Sequence, residues 1–121
     1  MSDLNDLAGL LVDFMDLPGT LDLPQLLAVN LTVTRSEKTP AIEAQLPLLP
    51  PAETWDAVAA WAAGIGGRVE VAKPYSDGYG KAFRTLSVRA SYVGHPVRVW
   101  AHIPADAEVP ERYRQIAQVA A

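Results

Sequence analysis

Residues 84–104, RTLSVRASYVGHPVRVWAHIP, alternate apolar and polar side chains on both sides of a glycine. Successive side chains of a strand point to opposite faces, so two such runs joined by a turn specify a hairpin with one buried face. Taking Gly94-His95 as a type II′ turn, glycine first, places Tyr92 opposite Val97, Ala90 opposite Val99, Val88 opposite Ala101 and Leu86 opposite Ile103. Every pair is apolar on apolar, as a strand register with one buried face demands. The other face then pairs Ser91 with Arg98, Arg89 with Trp100 and Ser87 with His102. A sheet with one apolar face needs a covering layer, and the rest of the chain must supply it.

Two further segments alternate in the same way. AVNLTVT (28–34) turns Val29, Leu31 and Val33 inward, and AIEAQL (41–46) does so with Ile42, Ala44 and Leu46, so a second hairpin is expected around the polar loop RSEKTP. RVEVAK (68–73) reads as another strand, and PYSDGYGKA (74–82) as a flexible loop. Helical spacing appears three times. Leu4, Leu7, Leu11 and Phe14 form one stripe over residues 3–16, ended by LPGT. The segment from about Ala52 to Ala63 confines its polar residues Glu53, Thr54 and Asp56 to the first turn, and GIGG closes it. Residues 106–121 read as a closing helix, with Asp106 as its cap. The predicted layout is α-ββ-α-βββ-α, an α+β fold with a mostly antiparallel five-stranded sheet and helices packed on one face. Residues 1–22 form an acidic amphipathic helix and linker, and residues 23–121 a single α+β domain.

Composition bears mainly on what can be set aside. The 121-residue chain is half hydrophobic and carries a net charge of −4. That charge opposes general nucleic-acid binding, which needs excess Lys and Arg to displace counterions. The absence of cysteine removes disulfides, thiolate metal ligands and thiol nucleophiles together. No apolar run approaches the ~20 residues of a membrane span, and the acidic start MSDLNDLAGLLVDFMD is unlike a secretion signal, so a cytoplasmic location is expected.

Each candidate chemistry in the sequence lacks a part that it needs. Ser87 facing His102 lacks the acid and oxyanion donors that a nucleophile–base pair needs. The two histidines, His95 and His102, match no metal-ligand spacing. GIGG follows a helix where a phosphate loop would open one, and SDGYGK lacks a hydroxyl residue after its lysine. Neither catalysis, nor a cofactor, nor a metal is expected. Three surfaces remain as binding candidates. The first is the polar hairpin face, where Arg89 and Trp100 can form a cation–π pair beside Arg98 and His102. The second is the loop with Tyr75 and Tyr79. The third is the first helix (Leu7, Leu11 and Phe14) and the Trp61 edge of the alanine-rich helix; a helix apolar nearly all round needs cover on more than one side, from the first helix itself, a second copy or a different protein. The expected function is a non-enzymatic interaction or regulatory domain, with another protein or a second copy as partner. The alternative is a small-molecule or single-stranded nucleic-acid binder using the Arg/Trp face.

Overall fold

The computed structural model describes residues 4–32, 40–76 and 78–119. The fold is α+β, with helices and a six-stranded mixed sheet. Helix α1 (Leu4–Met15) is followed by the single turn α2 (Leu17–Thr20), strands β1 (Ala28–Thr32) and β2 (Ala41–Gln45), and helix α3 (Pro51–Ile65). Strands β3 (Arg68–Val71), β4 (Tyr75–Ser76), β5 (Ala82–Tyr92) and β6 (His95–Pro104) follow, then a 3-10 turn (Glu111–Tyr113) that runs into α4 (Arg114–Val119).

The sheet order is β1-β2-β6-β5-β3, with β4 beside the start of β5. All pairs are antiparallel except β2 with β6, where Ile42 lies opposite Val97 and Ala44 opposite Val99. This corrects the mostly antiparallel five-stranded expectation. The cause is α3: it carries the chain back across the sheet, so β2 and β3 run the same way with a two-strand gap between them. The long β5–β6 hairpin fills that gap, antiparallel to β3 through β5 and parallel to β2 through β6. Local alternation cannot reveal this, because it marks each hairpin and says nothing about how two hairpins join.

The hairpin register differs as well. Val88 faces Val99, Ala90 faces Val97, Leu86 faces Ala101, and Tyr92 faces His95. The turn residues are Val93 and Gly94, with φ of 51° and 80°, the double left-handed geometry of a type I′ turn. Relative to the Gly94-His95 expectation, the strands slide by two residues. A slip of two leaves every side chain on its own face, so burial cannot separate the two registers. Turn geometry decides.

One core lies between the sheet and the helical layer. It contains Ile42, Ala44 and Leu46 from β2, Leu86 and Val88 from β5, and Val97, Val99, Ala101 and Ile103 from β6. Trp55, Val58 and Trp61 of α3 pack onto it, and Phe14 of α1 joins them with no exposed surface. The apolar flank of α3 is covered within the chain. Phe14 stacks on Trp61 with ring centroids 5.6 Å apart, and the Trp61 indole N–H donates to the Pro24 carbonyl at 3.0 Å. Leu23 seats on Gly64, where an added Cβ would come within 2.8 Å of its Cδ2. At the other end Tyr113 stacks on Trp55 at 5.2 Å. Its hydroxyl, with the Arg112 guanidinium, donates to Asp56 and holds that carboxyl below its usual 3.8.

Three boundaries shift for local reasons. LPGT, expected to break the first helix, follows its end at Met15 but forms the turn α2 itself, with Pro18 in the first turn, where its missing N–H removes no helical bond. Pro110 delays the closing helix, so Asp106 lies in a turn and caps nothing. The expected loop 74–82 contributes β4, with Tyr75 opposite Phe83. Val33 and most of the loop after β1 lie outside the described residues.

Candidate functional site

The candidate site is the sheet face turned away from the helical layer. Because alternation sends Leu86 and Val88 to the core, it sends Phe83, Thr85, Ser87 and Arg89 to this side, and Arg98, Trp100 and His102 likewise. The strand registers arrange these side chains in rows. Arg68, Arg89, Arg98 and Glu43 form one row across four strands; Glu70, Ser87, Trp100 and Gln45 form the next. Thr85 then faces His102, and Tyr75, Phe83 and Pro104 form a row at the far end.

Trp100 stands near the middle, half-buried. The Arg98 guanidinium lies 6.0 Å from its ring centroid, at the limit for a cation–π contact. His102 meets the indole edge to face at 4.8 Å, Tyr75 meets His102 at 5.9 Å, and Phe83 meets Tyr75 at 6.2 Å. The result is a continuous aromatic track. Arg89 is not the partner of Trp100, as expected from the sequence; the two-residue slip puts it opposite Arg98, and its Nε pairs with Glu70 at 3.0 Å. The slip also separates Ser87 from His102. Ser87 is buried opposite Trp100, whereas the hydroxyls of Thr85 and Tyr75 each lie 3.1 Å from His102 Nδ1. Burial, and then the charge of Arg98, hold the His102 imidazole below its ordinary 6.5.

Arg98 differs from Arg89. Its Nε is shut away from solvent without a hydrogen-bond partner, and no carboxylate among the described residues lies within ion-pair distance of it. A shallow depression of about 300 Å³ opens here, lined by Ala41, Glu43, Arg89, Pro96 and Arg98. A wider hollow of about 670 Å³ at the far end of the hairpin includes Gly80, Phe83, Pro104 and Asp106.

The structure therefore brings together Arg89, Arg98, Trp100, His102 and Tyr75. Tyr79 is 92 % exposed in the loop after β4. Trp61 and Phe14, expected to offer partner surface, are core residues, because each covers the other. Leu11 is half-buried, and the side chain of Leu7 lies outside the described residues. Sequence reasoning missed Arg68, although the alternation of RVEV already puts Arg68 and Glu70 on one face; the missing information was which strand they join. It also missed the Tyr75–His102 contact, since a two-residue strand has no periodicity to detect.

No group of three His, Cys, Asp or Glu side chains among the described residues could hold a metal ion, and no helix among them is long and apolar enough to cross a membrane. Comparison with family models, with curated proteins and with solved structures finds no match to this chain.

Proposed function

We propose that this chain is a non-enzymatic protein-interaction domain whose working surface is the open sheet face. The observation that carries this reading is the track Arg98–Trp100–His102–Tyr75, half-buried to exposed, on the face opposite the core. Trp, Tyr and Arg are the side chains that most often anchor protein interfaces, since they bring large contact area together with a polar handle. The first helix and the Trp61 edge are favoured less, because Phe14 and Trp61 pack on each other inside the core. A polyanion such as single-stranded nucleic acid suits the face less well, because Glu43 and Glu70 stand among its arginines.

The test is affinity capture from native-host lysate with the full chain, Trp100→Ala and Arg98→Ala, each checked for an unchanged far-ultraviolet spectrum. A protein retained by the wild type and lost from both variants supports the proposal. Equal retention by all three would move the contact elsewhere and sink it.

A further inference from the structure

The open face carries three arginines and two glutamates, whereas Arg112 of the helical layer is already paired with Asp56. Arg68, Arg89 and Arg98 stand in register on three adjacent strands of the open face, where like charges directly opposite one another are unfavourable. Glu70 relieves Arg89 at 3.0 Å, whereas Arg68 and Arg98 have no ion pair among the described residues. The acidic side chains of the helical layer are on the other side. Burial, and then Asp13 and Asp16 at the end of α1, raise the pKa of the Tyr92 hydroxyl above its ordinary value, and Tyr92 packs against the core; Glu53 and Asp56 belong to α3. The chain carries −4 overall, yet three arginines oppose two glutamates on this face.

We infer that the open face receives an extended acidic segment of a partner protein, with a carboxylate at Arg98 and an apolar side chain against Trp100. The inference rests on the proposed role of that face. Arg98 lies beside Trp100 with its Nε enclosed and without a hydrogen-bond partner, and its guanidinium has no carboxylate acceptor among the described residues. Neutralising that guanidinium with a carboxylate adds a charge-assisted pair. Arg68 and Arg98 lie two strand spacings apart, about 10 Å, between the i, i+2 and i, i+4 same-face separations of an extended segment, so a flexible Glu side chain at either position can reach the second arginine. Glu43 opposite Arg98 and Glu70 beside Arg89 set the limit: they leave room for one or two carboxylates and oppose a long phosphate backbone.

The experiment is a titration of the isotope-labelled full chain, followed by amide and side-chain nuclear magnetic resonance, with the blocked pentapeptide EEFEE. The charge-reversed peptide KKFKK and a short oligothymidylate serve as comparisons. Shifts are expected at Arg89, Arg98 and the Trp100 indole with EEFEE alone, weakening as salt rises. Arg98→Ala should weaken binding by about fivefold, the scale of an exposed charge pair, while Arg112→Ala, on the covered side, leaves it unchanged. If KKFKK shifts the same resonances equally, contact is by the aromatic track alone; the acidic inference falls and the open-face reading stands. Shifts with oligothymidylate and none with EEFEE overturn the inference in favour of nucleic acid. No open-face shifts with EEFEE, while lysate capture still depends on Trp100, also overturn the inference without touching the reading.

Discussion

Val93 carries a conformation that its side chain opposes. A β-branched residue at φ 51° is a strained occupant of a type I′ turn, and asparagine there adopts the left-handed region more readily. Val93→Asn should therefore stabilise the fold by about 1 kcal/mol, because left-handed backbone costs an ordinary residue about 1–2 kcal/mol. A raised denaturation midpoint at constant slope would show it, and an unchanged midpoint would argue that the turn is not where the register is held. Gly67 is constrained for a different reason. A Cβ there would meet Val88 Cγ1 at 2.5 Å and the Arg89 carbonyl oxygen at 2.8 Å, so Gly67→Ala should destabilise by about 1–3 kcal/mol through overpacking. His102 makes a third residue-scale prediction. Its folded pKa lies below the unfolded 6.5, so between the two values the unfolded chain binds more protons than the folded one. Stability should then fall as pH drops through and below 6.5, and flatten once pH is under the folded value. His102→Gln should remove that slope in melting temperature between pH 7.5 and about 5.5, before carboxylates contribute.

At the scale of elements, the informative case is α1. Its apolar stripe is legible in the sequence, but the stripe alone does not say whether the helix docks at home or in a partner. In the structure Phe14 fills a place between Trp61 and Tyr92, with ring centroids at 5.6 and 5.5 Å. Removing that ring opens a cavity against two aromatics, so Phe14→Ala should cost about 3–5 kcal/mol. Amides of α1 should then exchange hydrogen faster than those of β5 and β6. Equal protection throughout would mean that α1 is held by something other than Phe14. The same contact explains why the alanine-rich helix looked underprovided with partners. Leu23, Phe14 and Tyr113 each come from sequence distant from it, and only their aromatic or branched character was visible beforehand.

At the scale of the whole molecule, the division of residues 1–22 from 23–121 can be tested directly. The chain beginning at Asp22 would lose Phe14 and expose the ring face of Trp61. It should melt lower than the full chain and show red-shifted tryptophan emission, since Trp55 and Trp61 are buried in the intact protein and Trp100 is only half-buried. Unchanged melting and emission would make residues 23–121 a self-sufficient domain with α1 as an appendage.

What the sequence determined by itself was the set of faces. A period of two assigns Leu86, Val88, Val97 and Val99 to the core, and Arg89, Arg98, Trp100 and His102 to the opposite side, whichever strands they pair with. That assignment survives a two-residue slip because such a slip is a whole period. Neighbours across strands do not survive it. Long-range packing alone puts Arg98 rather than Arg89 by Trp100, adds Arg68 to the arginine row, sets β2 parallel to β6 and closes Phe14 over Trp61. Each of these depends on contacts between residues far apart in the chain. Such contacts are set by turn geometry, crossover length and packing volume, which no local pattern of apolar and polar residues records.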